Sequence, residues 1–355
     1  MYKRGILLTG SVTMAILLSG CFQGEESLED MDPPQNASPV DNLEDGEENE
    51  SVTGDGEETV VNETVPRELY LVDANGMVAA QTIELPNPES KEVASQVLEH
   101  LVKGGPVTSM LPNGFQAVLP EGTQILGVNL QEDGTIVVDF SEEFQDYEAK
   151  EELQILESIT HTLTQFDNVN TVQLQINGHA VKEMPVNGTP IGEGYSRANG
   201  INVTETDNTD LINSKAVTMY YPTEHDENRY YVPVTQYVET NEEDIYASIV
   251  QSLLEGPGFN TNVQHVFNST TLLTGEPTLS DGVLNLTFNK DILLKDGEGV
   301  IADDVMETIV RTLTEQEGIE AVDVKVENVE QLVNENGETY EEPVTKQQFT
   351  PTEKL

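Results

Sequence analysis

The sequence predicts an α+β chain of two tandem copies of one small helix-strand-strand-helix-strand sandwich with extra hairpins, and three observations predict it. First, Val93, Val97, Leu98, Leu101 and Val102 recur 152 positions later as Ile245, Ile249, Val250, Leu253 and Leu254. Those spacings mark one buried face of a helix. Second, both runs stop alike, at Lys103-Gly104-Gly105-Pro106 and at Glu255-Gly256-Pro257-Gly258, where glycine closes a helix and proline cannot continue it. Third, the register persists. Asp133-Gly134-Thr135-Ile136-Val137-Val138-Asp139-Phe140 corresponds to Asp281-Gly282-Val283-Leu284-Asn285-Leu286-Thr287-Phe288, and Ile155, Ile159, Leu163, Val172 and Leu174 correspond to Val305, Ile309, Leu313, Val322 and Val324. The offset drifts only from 152 through 148 to 150, which confines insertions to loops.

At the amino terminus, Lys3-Arg4 precedes sixteen uncharged residues, Gly5 to Gly20, that end in Leu18-Ser19-Gly20-Cys21. A basic start, a short apolar run and small residues before a break form the pattern of a secretory signal peptide, and the run is short for a membrane span. Residues 1–20 are expected to be removed, with cleavage between Gly20 and Cys21. The spelling resembles a bacterial lipobox, which implies that Cys21 becomes the first mature residue and carries acyl chains such as palmitate through a diacylglycerol thioether. An uncleaved anchor helix is the alternative. Either way, the rest of the chain lies outside the cytoplasmic membrane. Cys21 is also the one cysteine, so its lipidation leaves no disulfide and no thiol chemistry.

Residues 21–66 follow with fifteen acids, no Lys or Arg, and few large apolar side chains. Such a stretch cannot bury enough surface to offset its ordering entropy, so it is expected to be a disordered acidic tether. Its reach is roughly 35 to 40 Å. An acidic motif read by a basic partner is the alternative to a plain spacer.

The first copy is expected over 67–186. Glu68 to Val72 reads as a strand, Ala74-Asn75-Gly76 as a turn and Met77 to Leu85 as the hairpin partner. After the first helix, Leu119-Pro120-Glu121-Gly122-Thr123 turns into a strand over Gln124 to Leu130, and Glu132-Asp133-Gly134 reverses it into Thr135 to Phe140. A second helix is expected over Glu148 to Phe166, with Leu153, Leu156, Ile159, Leu163 and Phe166 on one side. Thr171 to Ile176 reads as a closing strand, and Asn177-Gly178 turns it towards His179 to Val186. Two helices on one face of a small sheet make a compact sandwich.

Residues 187–214 are rich in Gly, Asn, Thr and Asp without an apolar period, and read as a linker. The second copy, 215–335, is expected to begin with strand Ala216 to Tyr221, loop Pro222 to Asn228 and strand Arg229 to Val238. Its first helix should start near Asn241-Glu242-Glu243-Asp244, where acids suit the positive end of the dipole. Residues 336–355 read as a polar tail.

The turns Leu101-Val102-Lys103-Gly104-Gly105 and Leu253-Leu254-Glu255-Gly256-Pro257, the Leu119-Pro120-Glu121-Gly122-Thr123 turn, and Asp133 to Phe140 followed by Ser141 together resemble the GerMN domain family. The resemblance covers both copies. The second lacks the Leu-Pro-x-Gly-Thr turn and has Thr287-Phe288-Asn289 in place of Asp139-Phe140-Ser141. What the resemblance implies is a fold similar to the ring-building motif of secretion-system rings, and a role in sporulation, spore germination and the envelope assembly that joins mother cell and forespore. It supplies no catalytic or metal residue, and no cofactor.

The residues themselves agree with that. His100, His161, His179, His225 and His265 show no pair at the spacing of a zinc helix, and each is expected to be satisfied or exposed. Gly194-Tyr195-Ser196-Arg197-Ala198 approaches a nucleophile elbow but lacks its last glycine and a strand leading in. Pairs such as Glu142-Glu143 and Asp303-Asp304 are uninformative in so acidic a chain, and Asp296 to Asp304 lacks the twelve-residue calcium pattern.

The formal charge is -49, and residues 67–355 alone carry fifty acids against fourteen bases. Phosphate would be repelled, which argues against nucleic acid as a partner and against close docking of the domains on an anionic membrane. Adaptation of an exported protein to alkaline or salty surroundings explains the charge more simply than a dedicated basic partner. The reading is therefore a non-enzymatic, lipid-anchored extracytoplasmic scaffold, with other sporulation envelope proteins as partners and weak self-association. The alternative is a module that binds peptidoglycan or spore cortex, or assists enzymes acting there. Tyr220-Tyr221 and Tyr230-Tyr231 are the dense aromatic pairs, and strand alternation should turn one of each inwards.

Overall fold

The computed structural model describes residues 64–87, 92–204, 213–240, 245–258, 261–294 and 299–349. The signal peptide, Gly20, Cys21, nearly all of the tether, the acidic start of the third helix and part of the 296–304 loop lie outside these residues.

Each copy opens with an antiparallel hairpin. In the first, β1 (Thr64–Val72) pairs with β2 (Val78–Pro86). Asp73 holds the turn, its Oδ1 accepting the N–H groups of Asn75 and Met77 at 2.8 and 2.9 Å. In the second, β7 (Ser214–His225) pairs with β8 (Asn228–Glu239), and the turn is only Asp226-Glu227, both with positive φ (46° and 68°). Two left-handed residues match the twist of the strands, so the expected seven-residue loop closes to two and Pro222 joins the strand. Tyr220 and Tyr221 are both buried: α4 (Asp303–Thr314) packs on this hairpin, and the middle of β7, from Met219 to Thr223, has no exposed residue.

After each hairpin comes a helix: α1 (Val93–Glu99) and α3 (Ile245–Glu255). The two copies differ here. Leu253 and Leu254 are helical, whereas α1 ends before Leu101 and Val102. The carbonyl of Leu101 instead accepts the N–H groups of Val118 and Leu119 at 3.0 and 2.9 Å, so a bridge to the returning chain buries the same two apolar positions.

The sheets share their strand order, although their last strands pair at different registers. In the first, β3 (Ile125–Leu130), β4 (Thr135–Phe140), β5 (Thr171–Ile176) and β6 (His179–Ala180) lie in that order, with β4 and β5 parallel and the outer pairs antiparallel. In the second, β9 (Thr278–Ser280), β10 (Val283–Phe288), β11 (Ala321–Val326) and β12 (Val344–Thr345) take the same order, with β10 and β11 parallel. Parallel neighbours need a crossover, and α2 (Glu152–Leu163) and α4 supply it. Substitution of Asn289 for Ser141 leaves the backbone unchanged, at φ −72°, ψ 171° against φ −71°, ψ 170°. Ser141 Oγ accepts the N–H of Gln124 at 3.0 Å, and Asn289 Oδ1 accepts that of Leu272 at 3.0 Å.

Leu153 does not join the buried face of α2; it is 50% exposed. The inward position beside it belongs to Glu152, whose carboxylate accepts the N–H groups of Val186, Asn187 and Thr189 at 3.2, 2.6 and 2.9 Å. Ile155, Leu156, Ile159, Leu163 and Phe166 form the apolar face.

The stretch expected as a linker continues the first copy. Tyr195 exchanges two backbone hydrogen bonds with Val172, both 2.8 Å, as β12 pairs with β11 in the second copy, and each is followed by a 3₁₀ turn, Arg197–Asn199 and Lys346–Gln348. The expected polar tail thus contains β12, with Val344 buried. Leu69, Leu98, Ile136, Phe140 and Ile159 belong to the same continuous apolar core as their counterparts Met219, Val250, Leu284, Phe288 and Ile309.

Candidate functional site

The join between the copies gathers several buried polar groups, among them Glu68, Asp73 and Thr235. β2 and β8 face each other across it. Tyr230 of the second copy crosses into the first, its hydroxyl donating to Asp73 Oδ2 at 2.9 Å and its ring meeting Phe115 edge-on at 4.7 Å. Gly114, at φ 86°, lies against the His225 ring so closely that a Cβ there would collide with it. Asn202 ties both hairpins together. Its Nδ2 donates to the carbonyls of Val78 and Pro233, both at 2.7 Å, and its Oδ1 accepts the Val78 N–H at 2.9 Å.

Next to Asn202 is an ionic cluster. Arg197 Nη1 lies 2.7 Å from Glu315 Oε1, and Lys346 Nζ lies 3.0 Å from Glu315 Oε2, so the equivalent 3₁₀ turns of both copies converge on one carboxylate. Burial pushes the Glu315 carboxyl up, but Arg197 and Lys346 outweigh it and hold the group well below the usual carboxylate range. Gln165, the counterpart of Glu315, binds backbone instead. Its amide donates to the Glu68 carbonyl at 2.7 Å and accepts the Glu68 N–H at 3.1 Å. Both helices also hold their hairpins alike, Thr162 Oγ1 accepting the Tyr70 N–H at 2.9 Å and Thr312 Oγ1 the Tyr220 N–H at 3.0 Å.

His161 departs from expectation. It is fully buried, neither ring nitrogen makes a well-formed hydrogen bond among the described residues, and Tyr70 packs on its ring at 5.2 Å. Burial, and then Arg197, push its pKa well below the ordinary value. The longer Arg311 at the equivalent position reaches Glu307 at 2.6 Å and the Phe349 carbonyl at 3.2 Å, which an imidazole cannot do.

Above the cluster, a groove of about 590 Å³ opens between β2 of the first copy and β8 and α4 of the second. Arg229 pairs with Asp304, Tyr231 donates to Asp304 at 3.1 Å, and the Arg311 guanidinium stacks over the Tyr231 ring at 4.9 Å. Glu68 lies on its floor, buried, and burial raises its carboxyl pKa against the opposing pull of Lys346, Arg311 and Arg197.

The sequence pattern of the Germane family, described as sporulation and spore germination, matches residues 68–182 and 218–332. The chain belongs to this family. It is 41% identical over 360 residues to the spore germination protein GerM of Bacillus subtilis (strain 168), with 98% of each chain covered. Its fold is similar to that of the tandem GerMN domains of the sporulation protein GerM from Bacillus subtilis, with a TM-score of 0.74 and 43% identity over 82% of this chain and 99% of that one. The tandem repeat and the α+β class read from the sequence hold.

Within the Germane copies the motifs singled out in the sequence take structural posts. Ser196 starts a 3₁₀ turn, its N–H donating to Asn199 Oδ1 at 2.9 Å. His100 Nδ1 meets the Gln96 carbonyl at 2.7 Å and His265 Nε2 the Leu254 carbonyl at 2.9 Å, while His179 is exposed. Asp303 Oδ1 accepts the Glu335 N–H at 3.2 Å. Among the described residues, no three of His, Cys, Asp and Glu converge as ligands of one metal ion, and no helix is long and apolar enough to cross a membrane. Glu68, Asn202 and Glu315 were not legible as a site. Arg197 left one sign: it is the sole base between Asn187 and Ser214.

Proposed function

We propose that this Germane-family chain is a non-enzymatic scaffold of sporulation and spore germination. It is held by lipid on Cys21 outside the cytoplasmic membrane, and it assembles with other extracytoplasmic proteins in the envelope between mother cell and forespore. The observation that carries the reading is the join. A continuous core and the bridge from Arg197 to Glu315 fix two equivalent units in one body, which therefore presents two related helix and sheet-edge faces at a set spacing. That suits repetitive assembly with ring-building units, and weak self-association through the same faces. The likeness to a spore germination protein over nearly the whole chain supplies the setting. The tether sets the standoff, and the negative charge keeps the body off anionic phosphate.

Cross-linking in living sporulating cells tests the proposal, with vegetative cells for comparison and Cys21→Ser as the unanchored control. Capture of secretion-ring or septal membrane proteins only during sporulation, lost with Cys21→Ser, is the expected result. Capture of wall material or cortex hydrolases instead would overturn it.

A further inference from the structure

We propose that the groove between the copies seats a lysine-bearing segment of a partner protein, with one ammonium bound to Glu68. Five carboxylates line this groove, Glu68, Asp303, Asp304, Glu307 and Glu335, against two arginines. Arg229 pairs with Asp304 and Arg311 with Glu307, so two arginines stand against five carboxylates in the lining. The net field of the groove is therefore negative, and it selects cations.

Charge alone would mark only an acidic patch. The second observation is Glu68. It is 7% exposed, and no hydrogen bond reaches its carboxylate from any described residue; only its backbone is bonded, to Gln165. The three cations whose charge acts on it make hydrogen bonds to other groups, Arg197 and Lys346 to Glu315 and Arg311 to Glu307 and the Phe349 carbonyl. A carboxylate so enclosed needs a donor, and its open side is the groove. A single metal ion does not meet that need, because among the described residues no three acidic or imidazole groups converge. The acids are spread along the groove, which suits an extended chain with spaced ammonium groups. About 590 Å³ accommodates several side chains. Tyr231, partly exposed beside them, offers a ring face for the methylenes of a lysine stem.

The inference rests on the scaffold reading only in making the carrier of the ammonium a protein. The two fail separately, since the peptide measurement below needs no cellular partner. The probe is a fluorescent peptide with two lysines separated by one alanine, titrated by anisotropy at low salt into the full-length protein in detergent. Saturable binding is expected. Glu68→Gln, which keeps the side-chain volume and leaves the backbone bonds to Gln165 in place, should weaken it at least about tenfold, and Asp303→Asn should weaken it less. Glu121→Gln removes the same charge at an exposed site outside the groove and should change it by less than about twofold. Equal losses in Glu68→Gln and Glu121→Gln, undiminished binding of the lysine-acetylated peptide, or no binding would overturn the proposal. Spermidine displacing the peptide at much lower concentration would assign the seat to a free polyamine and overturn the peptide assignment. If Glu68→Gln fails to fold, the double variant Asp303→Asn, Glu335→Gln at the rim decides the matter by the same comparison.

Discussion

Arg197, just after the first sheet, and Glu315, at the end of the crossover helix of the second copy, meet at 2.7 Å. Lys346 shares the same carboxylate. Removing one member of a partly buried cluster leaves charge with too few partners, which costs more than the cluster contributes as a whole. Arg197→Met should therefore destabilise the chain by about 2 to 3 kcal/mol, less than a fully orphaned charge because Lys346 remains. Adding Glu315→Leu should restore part of that loss. Urea unfolding of the two single variants and the double checks both claims, and strictly additive losses would refute the coupling.

Stability should also depend on pH through Glu157. Burial lifts its pKa from the ordinary 4.5 to about 7, with the Asn202 N–H, 3.2 Å from its Oε1, pulling the other way. A carboxyl raised on folding holds its proton more tightly in the native chain, so its contribution is full below pH 4.5 and is lost as pH rises to about 7. Its size is roughly 3 kcal/mol. Glu315, held low, acts in the opposite sense, losing its contribution as pH falls below the usual carboxylate range, and buried neutral His161 costs stability as pH falls through the imidazole range. The difference between wild type and Glu157→Gln isolates the first effect. The variant should gain on the wild type from pH 5 to pH 8, by up to about 3 kcal/mol. Parallel curves from urea titrations at the two pH values would exclude it.

Two leucines of similar sequence promise differ in depth. Leu253 is 1% exposed in α3, and Leu153 is 50% exposed in α2. Leu253→Ala should cost about 2 to 5 kcal/mol through lost burial and the cavity left behind. Leu153→Ala should stay within about 0.5 kcal/mol. Thermal melts of both compare the two positions directly, and a small effect at Leu253 would contradict its place in the core.

The repeated period carried much of the fold. Val93 to Val102 and Ile245 to Leu254 disclosed the duplication because burial imposes the same apolar spacing on both copies, even though one ends in a bridge and the other in a helix. Strands such as Thr135–Phe140 and Thr171–Ile176 were legible to the residue from their turns and apolar content. Leu153 misled because an apolar side chain at helical spacing cannot announce that Glu152 takes the inward position. Tyr195 and Val344 were hidden in polar stretches, since a single bridge or a two-residue strand has no period to show. The join was the least legible part. Several of its hydrogen bonds run between residues more than a hundred positions apart, as from Tyr230 to Asp73 and from Arg197 to Glu315, and no local pattern encodes such a pairing.

Asn202 shows how much of the join depends on one such residue. Its backbone sits at φ 46°, a left-handed conformation that asparagine tolerates better than most, and there its amide satisfies backbone groups from both hairpins. Asn202→Ala keeps the unfavourable backbone and leaves the Val78 N–H and the Val78 and Pro233 carbonyls without these partners, at an expected cost of about 2 to 4 kcal/mol. Asn202→Gly relieves the backbone but not the lost bonds, so it should fall short of wild type while recovering about 1 kcal/mol over alanine. Because those bonds join the copies, the loss should also appear as faster proteolysis within residues 199–204 under native conditions. Alanine and glycine variants of equal stability would show that the left-handed backbone carries no strain, and an unchanged cleavage rate would show that the Asn202 amide does not hold the copies together.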